Sequence, residues 1–314
     1  MNLFKTPDFL KKGDKVIIVA TSGKLKSNQL EDAIKIISSW GLEVDLGENV
    51  YQTWGTFAGE DNQRRSDLQK ALDSTVYKAI FCARGGYGAS RIIDDLDFTY
   101  FKSHPKWLVG FSDITAIHLT IQSIGFQSIH ACMPSQFANE EYKLSVQQLK
   151  NVLFGTELPM LYTIPNKMNR LGVAIAPLMG GNLSLLADQI GTNSDISTEG
   201  KILFIEEIDE YLYRIDRLMT QLKRAGKFEN LAGLVVGHFT NLKPNPENEF
   251  GLNFREIILE KVSKYSYPVA FDFQIGHQPN NFPLICGGVG VLEVKSNKVS
   301  LGQIVEKNNI NISI

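Results

Sequence analysis

The stretch Trp107 to Gln122, "WLVGFSDITAIHLTIQ", joins an apolar β-strand run to a helical pattern, with Ser112 at the junction. A serine there can be an activated nucleophile on a sharp strand-to-helix turn, a helix N-cap, or an ordinary turn residue. Gly110, two residues earlier, leaves the backbone room for such a turn. The usual nucleophile pattern has a second glycine two residues after the serine, where this chain has Ile114. The stretch therefore predicts strand, turn and helix, and leaves the role of Ser112 open.

The same alternation of strand and helix continues on both sides of this stretch. Short apolar runs predict strands, and the amphipathic segments 27–41 and 60–74 between them predict helices. The strand runs are "KVIIVA" (15–20), "LEVDLG" (42–47), "YKAIFCA" (77–83) and "FQSIHACM" (126–133). This rhythm is typical of βαβ units, so the first half is predicted to be an α/β domain built on a parallel sheet.

The second half differs in character. Residues 156–170 are polar and irregular and include two prolines, which predicts a linker between an N-terminal domain (1–155) and a C-terminal domain (171–314). The second domain is predicted to be smaller and of mixed α/β type. It contains a strand run at 201–207, an amphipathic helix at 210–226, and a hairpin at 287–303 that turns at "SNK".

Composition narrows the class of protein. The chain has 314 residues and a formal net charge of −2, and it contains no basic run, so we expect no general affinity for nucleic acid or anionic membrane. Its three cysteines have no CxxC spacing, which argues against a disulfide framework or a zinc knuckle. Cys82 and Cys132 are expected to be buried, reduced thiols. No leader or membrane-spanning pattern is recognised, so the predicted location is the cytoplasm.

A catalytic serine needs a histidine base and a group that orients it. His118 is expected to be a surface or packing residue, and His130 ends a predicted strand near the same sheet edge. Sequence spacing does not choose between His238 and His277, which both lie near loops of the second half. The complete set of histidines is His104, His118, His130, His238 and His277.

For the orienting acid, Glu206 and Glu207 end an apolar strand, where α/β proteins commonly carry site residues. They could equally be acidic residues that favour a nearby helix N-terminus.

Two glycine-rich segments could approach a ligand closely. "CARGGYGASR" (82–91) follows a strand but matches neither GxGxxG nor the Walker pattern. Because the proposed nucleophile follows on the next strand, an oxyanion hole of backbone N–H groups fits this loop better than a nucleotide site. "LMGGNLSLL" (178–186) could cradle an anion or form a turn.

Taken together, these segments resemble the serine LD-carboxypeptidases, the murein tetrapeptide carboxypeptidases whose relatives include microcin-immunity peptidases. The resemblance runs through nearly the whole chain in order. Its segments are "FAGEDNQRRSDLQKAL" (57–72, AGxxxxR), "ARGGYGASR" (83–91), "LVGFSDITAIHL" (108–119, GxSD), "GGNLSLLADQIGT" (180–192), "LFIEEIDEYLYRIDRLMTQL" (203–222) and "IGHQPNN" (275–281).

The resemblance implies a Ser112–Glu206–His277 triad, with an oxyanion hole formed by the backbone N–H groups of Asp113 and Gly86. It implies a cytoplasmic homodimer that removes the terminal D-alanine from muropeptide tetrapeptides in peptidoglycan recycling, with no metal or cofactor. The fold class expected is α/β. Its N-terminal parallel-sheet domain, flavodoxin- or glutamine-amidotransferase-like, carries the nucleophile elbow, and a smaller mixed α/β domain follows.

The chain departs from the family pattern at three places outside this triad. It has Glu206-Glu207 for Glu-Asp, Thr21-Ser22 for Pro-Ser, and "HACM" for His-Gly-Pro-Met. Two alternatives stay open. One is a microcin-immunity type of peptidase acting on a peptide–nucleotide conjugate, for which an aromatic-rich stacking loop would be diagnostic but is not identified in the sequence. The other is a non-catalytic binder of a small anionic ligand.

Overall fold

The fold consists of two β-sheets with helices packed around them, seen in a computed structural model that describes residues 4–243 and 248–304. The first sheet has six strands in the order β11-β5-β4-β3-β1-β2, and only β11 runs antiparallel to its neighbour. The strands are β1 (Lys15–Val19), β2 (Glu43–Leu46), β3 (Tyr77–Cys82), β4 (Trp107–Gly110), β5 (Ser128–His130) and β11 (Leu284–Cys286).

The predicted βαβ rhythm of the first half is confirmed. The helices are α1 (Glu31–Ser39), α2 (Asp61–Asp73), α3 (Thr99–Ser103), α4 (Thr115–Ser123) and α5 (Lys143–Leu153). Every residue of β4 is buried, as expected for a central parallel strand covered on both faces. Two hydrophobic clusters form the core on the two sides of this sheet, one containing Trp107 and the other Leu108. This layering places the carboxyl ends of β1, β3 and β4 along one edge, where ligands of α/β sheets bind.

The second sheet has seven strands in the order β10-β9-β8-β7-β12-β13-β6. Its strands are β6 (Met160–Thr163), β7 (Gly172–Asn182), β8 (Ile202–Ile208), β9 (Gly233–Thr240), β10 (Val269–Ala270), β12 (Val289–Val294) and β13 (Val299–Ile304). The helices are α6 (Leu183–Asp188), α7 (Leu212–Arg224) and α8 (Phe254–Lys261). Strands β7 to β10 are parallel, whereas β12, β13 and β6 add antiparallel pairs. The expected mixed sheet and the β12–β13 hairpin are therefore both present.

The two sheets do not divide as simply as the sequence suggests. The predicted linker, 156–170, contains β6, which pairs with β13 at the edge of the second sheet. Strand β11 comes from the second half of the chain but completes the first sheet beside β5. The boundaries 1–155 and 171–314 stay a prediction, and the predicted C-terminal stretch 305–314 lies outside the described residues. Because β11 follows the His277 loop by only a few residues, the first sheet anchors that loop from one side.

In the described part of the chain, no helix has both the length and the apolar character needed to cross a membrane.

Candidate active site

Ser112 lies at the carboxyl end of β4, on a sharp turn into α4. Its backbone has φ +63°, a left-handed conformation that non-glycine residues rarely adopt, and a single 3₁₀ turn (Ser112–Ile114) joins the strand to the helix. Gly110 makes the turn possible, because a Cβ there would lie 2.9 Å from the Ile114 side chain. Ile114 thus packs across Gly110 at the position where a second glycine is usual. The Ser112 side chain caps neither the 3₁₀ turn nor α4, so the N-cap interpretation is wrong.

The hydroxyl of Ser112 meets an imidazole from the second half of the chain. Ser112 Oγ lies 2.9 Å from His277 Nε2, and His277 Nδ1 lies 2.7 Å from Glu206 Oε2. A carboxylate oxygen only accepts, so the proton is on Nδ1 and the Nε2 lone pair faces the serine hydroxyl. This relay is the arrangement in which an imidazole removes a serine proton and a carboxylate stabilises the imidazolium that forms.

Burial and the neighbouring charge shift the pKa of the His277 imidazole in opposite directions. Burial disfavours the charged form, but the neighbouring Glu206 carboxylate and its hydrogen bond outweigh burial and raise the pKa of His277. Glu206 itself is completely buried at the end of β8. The Glu206 carboxylate therefore increases the basicity of the imidazole that faces the serine.

The loop that carries His277 is held against Glu206 by the backbone. Gly276 has φ +118°, and a Cβ at this position would lie 2.9 Å from Glu206 Oε2, so a larger residue would displace the carboxylate. The buried Asn281 accepts a hydrogen bond from the Gly276 N–H at 2.9 Å. His238 supports the same loop by donating its backbone N–H to Ile275 O at 2.8 Å. It is His277, not His238, that the structure brings to Ser112.

The loop after β3 lies directly beside the serine. A Cβ built on Gly85 would be 3.3 Å from Ser112 Oγ, and Gly86 has φ +122°. In the described residues, neither the Gly86 N–H nor the Asp113 N–H donates a hydrogen bond to another protein group. Both amides lie in segments next to Ser112 and have no acceptor among the described residues, as the predicted oxyanion donors require.

The Asp113 carboxylate holds the loop after β3 in place. The sequence alone predicts no role for this carboxylate. Asp113 Oδ2 accepts hydrogen bonds from Ser22 Oγ at 2.5 Å and from the Ala89 N–H at 2.8 Å. Burial raises the pKa of Asp113, although the hydrogen bonds from Ser22 and Ala89 oppose that effect. Ser22 is the residue that remains of the family's Pro-Ser pair, so the departure at Thr21 leaves this contact intact.

Arg64 also stabilises the glycine-rich loop after β3. Its fully buried guanidinium donates to the carbonyls of Thr21 at 2.6 Å and Gly88 at 2.8 Å, and pairs with Asp61. A charged side chain is rarely so buried without such partners. In the sequence, Arg64 is the arginine of the AGxxxxR segment, and its spacing from the glycine is the signal for this role.

The "GGNL" segment forms the end of β7 and the start of α6, and it brings the two sheets together. A Cβ at Gly181 would lie 2.4 Å from Thr115 Oγ1 at the start of α4, and Asn182 N donates to the same hydroxyl at 3.1 Å. Glu207 accepts from Asn182 Nδ2 at 2.8 Å and from the Ser184 N–H at 2.8 Å. Glu207 therefore stabilises the first turn of α6, which is the helix-terminus interpretation of the acidic pair, whereas Glu206 contacts the histidine.

The remaining histidines serve packing. His118 is buried, with Nε2 2.8 Å from Gly110 O and Nδ1 2.8 Å from Ser128 Oγ, and burial lowers its pKa to about 4. His118 thus supports the glycine that precedes the nucleophile turn. His130 is buried edge-on against Phe111 and Phe204, with ring centroids 5.7 and 5.1 Å away. His104 stacks on Tyr100.

The described residues contain neither an exposed cysteine nor a cluster of side chains that could bind a metal ion. Cys82, Cys132 and Cys286 are all free and buried, as predicted for Cys82 and Cys132, and burial raises the pKa of each thiol to about 12. Residues 4–243 and 248–304 contain no group of three or more His, Cys, Asp or Glu side chains positioned for a metal ion.

Comparison with known proteins agrees with this architecture. Residues 16–131 match the LD-carboxypeptidase N-terminal domain, and residues 176–292 match the LD-carboxypeptidase C-terminal domain of peptidase family S66. The chain is 35% identical, over 86% of both sequences, to a probable murein peptide carboxypeptidase of Bacillus subtilis.

Solved structures show the same fold. The muramoyltetrapeptide carboxypeptidase of Oxalobacter formigenes superposes with a TM-score of 0.81 at 28% identity, over 92% of this chain and 98% of that one. The microcin C7 self-immunity protein MccF superposes with a TM-score of 0.82 over 96% of this chain and 98% of that one, but at 16% identity this likeness concerns the fold alone. With both domain matches and the Bacillus relative in agreement, the chain belongs to the LD-carboxypeptidase family of serine peptidases.

Proposed function

We propose that this protein is a serine LD-carboxypeptidase that removes the terminal D-alanine from muropeptide tetrapeptides, using Ser112, His277 and Glu206 as its triad. The observation that supports it most is the continuous hydrogen-bond relay from Ser112 Oγ through the His277 ring to the buried Glu206 carboxylate. The substrate class follows the names of the Bacillus and Oxalobacter relatives.

The reaction would proceed in two steps. His277 Nε2 takes the Ser112 proton as Oγ attacks the carbonyl of the L–D peptide bond. The Asp113 and Gly86 N–H groups hold the oxyanion, each contributing about 3–4 kcal/mol in comparable sites. His277 then protonates the leaving D-alanine amine, which leaves an acyl ester on Ser112. A water molecule, deprotonated by His277, attacks that ester and returns the serine hydroxyl.

The proposal is tested by incubating the protein with a disaccharide tetrapeptide and measuring the release of D-alanine. Ser112→Ala and His277→Ala should each reduce turnover by several orders of magnitude, because triad residues act as a unit. Glu207→Gln is the matched control, since Glu207 neighbours the triad acid but contacts Asn182 and Ser184. Unchanged turnover in Ser112→Ala would refute the nucleophile assignment.

Two further experiments on the same protein preparation distinguish this function from the two alternatives. A peptide–nucleotide conjugate cleaved much faster than the tetrapeptide would favour the microcin-immunity type of activity. A fluorophosphonate probe that fails to label Ser112 in the folded protein would favour a non-catalytic binder. The relay at Ser112 argues against the binder, because a binding module has no need of a serine held against an oriented imidazole.

We also propose a homodimer, located in the cytoplasm, as the family resemblance implies. An exposed apolar face supports the dimer. In β6 and β7, alternate side chains of the second sheet point away from the core, and Tyr162 and Val173 are each about 60% exposed. The exposed apolar side chains of β6 and β7 flank Glu293 of β12 and Ser300 of β13 on the same sheet face, and such a mixture of apolar and polar side chains is typical of association surfaces. The residues of this face are Met160, Tyr162, Leu171, Val173 and Ile175.

Light scattering should give twice the chain mass for the wild type and a single chain mass for Val173→Glu.

A further inference from the structure

A row of three aromatic rings lies on the surface beside the candidate oxyanion loop. Phe57 lies between Trp54 and Tyr87, with ring centroids 5.5 Å from Trp54 and 5.7 Å from Tyr87. Trp54 is 49% exposed and Tyr87 is 55% exposed, whereas Phe57 is half-buried. We call Trp54, Phe57 and Tyr87 the aromatic platform. Large aromatic side chains held together in solvent are a feature of binding surfaces.

The platform is continuous with the reacting centre. Tyr87 directly follows Gly86, and the neighbouring Gly85 packs against Ser112. From the other side, Gly23 donates its N–H to Gly85 O at 3.1 Å and forms a β-bridge with Phe57. The turn that carries Trp54 and Phe57 is therefore attached to the same loop that borders the nucleophile.

The platform is also rigid. Trp54 and Phe57 exchange two backbone hydrogen bonds, each 3.0 Å long. The guanidinium groups of Arg64 and Arg91 lie 5.1 and 5.3 Å from the centroid of the Phe57 ring. Because Arg64 is itself buried and bonded to backbone carbonyls, Phe57 has little freedom to move. Rings already fixed in place lose little conformational entropy when a ligand stacks on them.

The ligand of the aromatic platform must be a chemical group that a peptide substrate carries at a distance from its scissile bond. In a muropeptide the sugar is joined to the amino end of the peptide, three residues before that bond. Three α-linked residues extend about 10–11 Å. From Gly85, two residues reach Tyr87 within about 7 Å, and the Phe57 and Trp54 rings follow Tyr87 in the row at centroid distances of 5.7 and 5.5 Å. The C–H groups on one face of a pyranose ring pack well on the negative face of an aromatic ring.

We propose that the aromatic platform binds the saccharide of the muropeptide, so that the enzyme prefers glycosylated tetrapeptide to free tetrapeptide. This inference rests on the proposed function and specifies its substrate class. Trp54 and Tyr87 provide the stacking surface, and Phe57 holds both rings in place. The platform acts on substrate selection and leaves the chemistry at Ser112 unchanged.

The test compares kcat/KM for a disaccharide tetrapeptide with kcat/KM for the same tetrapeptide without sugar. Stacking of a nucleic-acid base on one aromatic ring changes binding affinity by a factor of about 5 to 150, and we expect an effect in this range for a sugar ring. Trp54→Ala and Tyr87→Ala should each lower the ratio by a factor in that range, with kcat/KM for the free tetrapeptide unchanged. Trp54→Phe should retain most of the preference. Tyr100→Ala is the control, because Tyr100 is similarly exposed but lies in α3, which leads to the amino end of β4.

A second readout does not depend on turnover. Of the three tryptophans, Trp40 and Trp107 are buried, so a change in fluorescence on ligand addition reports Trp54. The Ser112→Ala variant should show such a change with the disaccharide tetrapeptide and not with the free tetrapeptide.

Equal kcat/KM ratios in wild type and both alanine variants would overturn the inference while leaving the carboxypeptidase assignment intact. A larger effect of Trp54→Ala on a peptide–nucleotide conjugate than on the disaccharide substrate would also overturn it, in favour of base stacking. If the wild type releases no D-alanine from either tetrapeptide, the proposed function fails first. The fluorescence change in Ser112→Ala then still decides whether the platform binds sugar.

Discussion

Two buried carboxylates, one just after β4 and one in β8, support the candidate active site and act on different partners. Asp113 is 1% exposed at the carboxyl end of β4, and it accepts hydrogen bonds from a hydroxyl and a backbone N–H. Glu206 is 0% exposed at the end of β8, and it accepts a hydrogen bond from an imidazole. Asp113 therefore holds the backbone of the candidate oxyanion loop, whereas Glu206 holds a group whose charge changes during the proposed reaction.

This contrast explains why the two groups should respond differently to the loss of charge. A carboxylate that holds only neutral donors can be replaced by a neutral acceptor of the same shape. A carboxylate that stabilises a developing imidazolium cannot, because its negative charge opposes the positive charge formed on the ring.

Replacing the charge of Glu206 should give the largest effect. Glu206→Gln is expected to lower kcat by about 10⁴-fold, because an amide neither selects the Nδ1–H tautomer nor stabilises the imidazolium. Glu207→Gln, one residue along β8, should change kcat less than tenfold. Steady-state kinetics of D-alanine release would measure both. Similar losses in the two variants would mean that the two carboxylates do not have separate roles.

Removing the Asp113 carboxylate should give an intermediate effect. Asp113→Ala leaves the Ser22 hydroxyl and the Ala89 N–H buried without a partner, at about 1–3 kcal/mol each. We expect a lower melting temperature and a decrease in kcat of about 10- to 100-fold, close to the effect of a weakened oxyanion donor.

Asp113→Asn should restore most of both properties, because its amide oxygen can accept the same two hydrogen bonds. If Asp113→Asn were as inactive as Asp113→Ala, the charge of Asp113 would matter and the comparison with Glu206 would fail.

The smallest effect concerns pH. His277 must be neutral to accept the serine proton, and Glu206 raises its pKa above the ordinary value of 6.5 despite burial. The acidic limb of kcat/KM should therefore have its midpoint above pH 6.5, with activity lost as the pH falls through it. In the residual activity of Glu206→Gln the midpoint should move to lower pH, because burial alone lowers the pKa of the ring. A midpoint that does not move would show that Glu206 is not the group that raises this pKa.

Much of the fold can be predicted from local pattern alone. The apolar face of α7 is an example: Ile215, Met219 and Leu222 are buried as the 3.6-residue period requires. The β12–β13 hairpin is another, because alternation and a polar turn specify it within a short segment. Strands β6 and β11 were not predicted, because their pairing partners are distant in sequence and each strand is only three or four residues long.

The features of the candidate site also fall into those that local sequence predicts and those that depend on the folded chain. Local sequence specifies the strand-to-helix turn at Ser112, the glycine loop and the acidic strand end, since each depends on neighbours a few residues away. The family resemblance adds Ser112, Glu206 and His277. Which groups meet depends on the folded chain: the His277 ring contacts Ser112, the Asp113 carboxylate bonds to Ala89, and Trp54 and Phe57 lie beside Tyr87. These contacts join segments that come together only when the sheets form and pack, so no local pattern of residues records them.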